Sequence, residues 1–157
     1  MPVWTRMLSS LVLAIAGWAL AAAARNTPAA GFGLLIAAGM TLGLLGDLFM
    51  GRVIPVGGHV VAGMGAFALG HACYIAAGLR YGNAIGADRA GLRSAAWLAW
   101  LLIGAFGWWI FVYRGQRASA LHWAALPYAL LLASTAGIAT GLALQDPRFI
   151  PFALGAV

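Results

Sequence analysis

Apolar residues run almost unbroken through this chain, in stretches of about 17 to 24 residues parted by short polar or glycine- and proline-containing breaks. A hydrocarbon core about 30 Å thick needs roughly 20 residues of helix to cross it. Leu8 to Ala24, Ala29 to Met50, Val56 to Leu79, Ser94 to Tyr113 and Leu121 to Leu144 therefore read as five full spans, and Ile150 to Val157 as the start of a sixth. The runs are continuous and do not alternate with a period of two, which excludes a membrane β-barrel. The expected fold is all-α, a polytopic transmembrane helix bundle forming a single domain over residues 1–157.

The connections between spans are short. In Arg25-Asn26-Thr27-Pro28, Thr27 and Pro28 read as N-cap and first residue of the second span. Gly51 to Gly58, with Pro55, links the second and third spans, and Arg80 to Arg93 is the longest link. Arg114 to Ala120 joins the fourth and fifth, and Gln145-Asp146-Pro147 ends the fifth. Arg6, the first apolar run and Ala22-Ala23-Ala24 together resemble a cleavable secretory signal. That run is longer than a usual signal core and further spans follow at once, so an uncleaved first helix is expected.

Composition sharpens this picture: 64% hydrophobic and 8% charged residues with a mean hydropathy of +0.94 exclude a soluble globular domain. The net charge of +6 does not indicate nucleic acid, because the nine basic residues are scattered among the connections and form no stripe. Arg6, Arg52, Arg114 and Arg117 fall on one side of the membrane and Arg25, Arg80, Arg89, Arg93 and Arg148 on the other. That split is too even to set an orientation. Trp97 and Trp100 at one end of the fourth span, with Trp108, Trp109 and Tyr113 at the other, resemble two interfacial belts. The lone Cys73 rules out an internal disulfide and reads as a packing residue.

Asp47 changes the picture most. It is the one carboxylate inside an apolar run, where a charge costs on the order of 3 kcal/mol on insertion scales, so it is a functional-site candidate. Met40, Gly43, Leu44, Met50 and Gly51 share its helical face. On the third span His71 shares a face with Gly63, Phe67, Tyr74 and Gly78. Gly39-x-x-x-Gly43 and Ala66-x-x-x-Gly70 are small-residue patterns that let two helices approach closely, here the second and third. If those faces meet, Asp47, His71 and Tyr74 form a polar group within an apolar bundle, although His71 lies deeper along its helix than Asp47 does. His59 and His122 read as interfacial polar residues.

Leu45-Gly46-Asp47-Leu48-Phe49-Met50, followed by Gly63-Met64-Gly65-Ala66-Phe67-Ala68-Leu69-Gly70-His71-Ala72-Cys73-Tyr74, resembles the YhhN-like lysoplasmalogenase family of integral membrane proteins. The likeness lies in a Gly-Asp pair at the end of one span and a G-x-x-x-F-x-x-x-H-x-x-Y pattern on the next, in that order. It implies hydrolysis of the vinyl ether bond of a lysophospholipid, giving a fatty aldehyde and a glycerophospho-alcohol. It also implies a second aspartate, in an F-x-x-S-D motif after a Gly-Ala pair, which would follow Gly155-Ala156.

Vinyl ether hydrolysis begins with proton transfer to carbon and passes through an oxocarbenium ion that water captures. A carboxyl group in apolar surroundings favours its neutral form and can donate. Asp47 is thus expected to act as the acid, or as the base if the second aspartate is the acid, with His71 and Tyr74 as a proton relay. Gly43, Gly46, Met50, Arg52 and Phe67 are expected to border the substrate, a lysophospholipid or other ether lipid, with Arg52 pairing with its phosphate. One carboxylate and one histidine are too few ligands for a metal, and no cofactor is implied. The expected location is a bacterial inner membrane. Two other classes are compatible with an intramembrane aspartate: a small proton-coupled transporter, betrayed by proton flux without lipid turnover, and a nonenzymatic membrane scaffold in which Asp47 only pins helices.

Overall fold

The computed structural model describes residues 3–115 and 119–157, so Arg117 lies outside the described residues. The chain is all-α, with no strand among those residues, and it divides into two compact units, residues 1–81 and 82–157. Among the described residues five helices are long and apolar enough to cross a membrane, which makes this a multi-pass membrane protein.

The first unit holds α1 (Val3–Ala24), α2 (Ala30–Met50) and most of α3 (His59–Ala84). Thr27 does not cap α2. Its hydroxyl donates to the Ala24 carbonyl (2.8 Å) and accepts from the Ala29 N–H (3.2 Å), so Thr27 and Pro28 build the turn and the helix starts at Ala30. Helices α1 and α2 run antiparallel over small residues. A methyl group placed on Gly33 would lie 3.1 Å from the Ala21 backbone, and one on Gly17 would lie 3.3 Å from the backbone of Ala37. The Trp18 indole donates to the Thr41 hydroxyl (2.9 Å) across the same interface.

The second unit contains the end of α3, then α4 (Ala90–Trp108), which continues as a π-helical stretch over Trp109–Tyr113, α5 (Ala120–Ala143), a 3₁₀ turn at Pro147–Phe149 and α6 (Ile150–Ala156). Ser119 and His122 form a reciprocal cap at the start of α5, so His122 has a structural partner there. Indole N–H groups cross from α4 to α5: Trp97 donates to Ser134 (3.0 Å), Trp100 to Thr140 (3.1 Å) and Trp108 to the His122 carbonyl (2.9 Å). Tryptophans that look like interfacial anchors in the sequence therefore also link these helices.

Helix α3 runs on to Ala84 and α4 begins at Ala90, which shortens the expected Arg80 to Arg93 connection to residues 85–89. Hydropathy marks where a helix meets hydrocarbon, but the backbone ladder continues past that point while its hydrogen bonds hold. Inside each unit the fully buried apolar positions are mostly alanines, among them Ala37, Ala77 and Ala139. Large side chains such as Trp4, Leu8, Leu102, Phe111 and Leu154 point outward. In lipid, close backbone approach takes the place of a large-residue core.

Candidate functional site

The site lies in the first unit and depends on how α3 seats against α2. Gly39 and Gly46 on α2 are seven residues apart, as are Phe67 and Tyr74 on α3, so each pair shares a helical face. The Phe67 ring rests in the notch at Gly46, where an added methyl would sit 2.8 Å from it, and the Tyr74 ring rests in the notch at Gly39. At Gly70 and Gly63 the backbones come close, a methyl on either lying 3.0 Å from the Gly39 carbonyl and 3.2 Å from the Gly46 carbonyl, respectively. Gly43, midway between the notches, has nothing within 4 Å of such a methyl. A cavity opens at this position, between the two notches.

That cavity has a volume of about 230 Å³ and is lined by Ser10 and Leu13 of α1, the α2 face from Gly39 to Asp47, and Phe67, Gly70, His71 and Tyr74 of α3. Asp47, His71 and Tyr74, the three expected catalytic residues, therefore border one space. The pairing of Gly46 with Gly63 and of Gly39 with Gly70 sets Asp47 level with Ala62, nine residues and about 13 Å of helix from His71. The aspartate and the histidine mark two ends of an elongated space. His71 and Tyr74 meet edge to face, with ring centroids 5.7 Å apart.

The immediate partners of Asp47 come from α1. Arg6 Nε lies 3.1 Å from Oδ1, and the Ser10 hydroxyl donates a short hydrogen bond to Oδ2. Ser10 Oγ is also 3.1 Å from the Arg6 carbonyl, but its single proton goes to the closer carboxylate. The Asp47 side chain is 15% exposed and that of Arg6 50%. The sequence reading has Asp47 as the acid, or as the base if a second aspartate is the acid, and names no partner for it on α1. Both partners found here are donors, and the Asp47 side-chain oxygens accept from them.

Arg6 and Ser10 were not among the expected site residues. Their signal is nonetheless present, since Arg6, Ser10, Leu13 and Gly17 follow one another by helical offsets of four, three and four. The start of the first span and the end of the second must also lie at the same membrane face. Of the residues expected to border a substrate, Gly43 and Phe67 line the cavity. Gly46 lies beneath the Phe67 ring and Met50 packs against Gly63. Arg52 turns into the following loop, where its Nε donates to His59 Nε2 at 3.2 Å.

Neither the curated proteins nor the solved structures returned a match to this chain. The sequence profile of the YhhN family matches residues 2–157, which include the Gly46-Asp47 pair and the Phe67, His71 and Tyr74 positions that border the cavity. On that match over nearly its whole length, the chain belongs to the YhhN family.

Proposed function

We propose that this protein is a membrane-embedded hydrolase of the lysoplasmalogenase type, acting in a bacterial cell membrane on the vinyl ether bond of a lysophospholipid or related ether lipid. The observation that carries the reading is a half-buried carboxylate, held by Arg6 and Ser10, at one end of an otherwise largely apolar cavity within a helix bundle. At about 230 Å³ the cavity is below the roughly 300 Å³ at which ligand pockets begin. It suits the reacting segment of a long amphiphile whose tail lies along outward-facing apolar side chains.

The chemistry assigns complementary roles. A proton adds to the double-bond carbon that does not bear oxygen, leaving an oxocarbenium ion on the carbon that does. Water attacks that cation and loses a proton, and the hemiacetal collapses to aldehyde and alcohol, with one water consumed. A carboxylate fits the second half, stabilising the cation and accepting the proton from water. Asp47 takes that part, analogous to the base of a carboxylate pair in glycoside hydrolysis. Among the cavity residues, His71 carries an ionisable proton closest to neutral pH by type, and with Tyr74 it relays the proton through water along the cavity.

The test is aldehyde release from an alkenyl lysophospholipid by the full-length protein in micelles. Asp47→Asn keeps the shape and removes the base, and should lower turnover by about 100-fold or more. Aldehyde release by Asp47→Asn at the wild-type rate would end this assignment.

A further inference from the structure

The loop after α2 carries a second concave surface, separate from the Asp47 cavity, about 500 Å³ in volume and lined by Arg52, Ile54, Pro55, Val56 and His59. Its floor is aliphatic and its two polar members are basic-type side chains bonded to each other, Arg52 Nε donating to His59 Nε2. Neither has a carboxylate partner: the ion pairs of the described residues are Arg6 with Asp47 and Arg148 with Asp146.

The backbone adds a separate argument. Helix α2 ends in a Schellman motif, with Arg52 N–H donating to the Phe49 carbonyl and Val53 N–H to the Leu48 carbonyl, both at 3.0 Å. The residue at the left-handed position of such a motif is usually glycine. Here it is Arg52, at φ 56°, the one non-glycine residue at positive φ among those described. A non-glycine residue there costs backbone strain, and such outliers gather at ligand clamps.

We propose that Arg52 and His59 form a binding site for a phosphate group carried by an amphiphile. The Arg52 Nη groups are left to grip two phosphate oxygens in a fork, and the imidazole holds the guanidinium in place. The aliphatic floor and the exposed Val53 and Val56 suit a phosphate on an apolar molecule better than a free hydrophilic anion. Arg52 stands five residues beyond Asp47, just past the same end of α2, and a lysophospholipid carries its phosphate three glycerol carbons from the ether oxygen. In naming that lipid as the substrate the inference rests on the hydrolase reading above.

Binding of two non-hydrolysable lipids with the same tail, 1-O-alkylglycerophosphate and 1-O-alkylglycerol, tests the site in the full-length protein in neutral detergent. Arg52→Gly is the informative variant, because glycine accepts φ 56° without strain, so the side chain is removed with no cost to the backbone. The wild type should bind the phosphate-bearing lipid about tenfold more tightly, and Arg52→Gly should bind both alike. An Arg52-dependent thermal shift with inorganic phosphate, without that lipid preference, would assign the same site to the free anion. A preference that survives in Arg52→Gly, or the absence of both effects in the wild type, overturns the proposal. Neither lipid is cleaved, so an absence of aldehyde release by the wild type with this preference intact would count against the hydrolase reading alone.

Discussion

Arg6 and Asp47 form an ion pair that ties the first turn of α1 to the last turn of α2, with Nε 3.1 Å from Oδ1. The pair does two things at once. It compensates the one carboxylate carried by a membrane span, and it fixes that carboxylate at the end of the cavity with its second oxygen turned to Ser10.

Removing one partner should therefore cost more than removing both. Arg6→Leu leaves the carboxylate with a single donor and should destabilise the detergent-solubilised protein by about 2 kcal/mol, whereas Arg6→Leu combined with Asp47→Leu should recover part of that loss. Thermal or denaturant melts of the two single variants and the double variant measure the coupling. Strictly additive losses would mean that the two side chains do not support each other.

Ser10 orients the carboxylate without taking part in the charge balance. Ser10→Ala should cost about 1 kcal/mol in stability and lower aldehyde release roughly tenfold, through turnover more than through KM. Steady-state kinetics separates these. A rise in KM with unchanged turnover would place Ser10 in substrate binding instead.

Two glycines on α2, four residues apart, should respond in opposite ways. Gly39→Ala drives a methyl group into the Tyr74 ring and should destabilise by about 1 to 3 kcal/mol. Gly43→Leu meets only the cavity and should leave stability within roughly 0.5 kcal/mol of wild type while blocking turnover. Melting curves and aldehyde release on the two variants check both halves.

The loop after α5 supplies a pH dependence. Arg148 donates to the Asp146 carboxylate from its side chain and its backbone, with Nη2 2.6 Å from Oδ2, and this holds the carboxyl below the usual aspartate range. A depressed folded value means that the contribution is present above the unfolded value, near 3.8, and is lost as pH falls through the folded one. Melts of the wild type should show that loss only below about pH 4, and Asp146→Asn should show a smaller acid-side slope. Equal slopes would remove this loop from the acid response.

How far the sequence reaches differs from residue to residue. The ends of α2 and α5 agree with the apolar runs to within a residue. Those of α3 and α4 do not at the connection between them, because residues such as Arg80 and Asn83 are polar and helical at once. Asp47, Phe67, His71 and Tyr74 were legible as candidates because polar or aromatic groups stand out in an apolar helix at fixed offsets. Arg6 was legible only as a flanking charge, since nothing local in a sequence says which neighbour a terminal arginine will reach.

By itself the sequence determined the class of the molecule, the number and place of its membrane-crossing helices and the family to which they belong. Apolar length is a one-dimensional property, and lipid imposes it on each helix separately. Tertiary structure decided the rest: that Gly39 and Gly46 receive aromatic rings while Gly43 faces a void, and that Asp47 is met by Arg6 and Ser10. In a membrane both the lipid-facing and the helix-facing sides are apolar, so hydropathy does not distinguish them. Side-chain size does, and size acts only when two particular helices are brought into register.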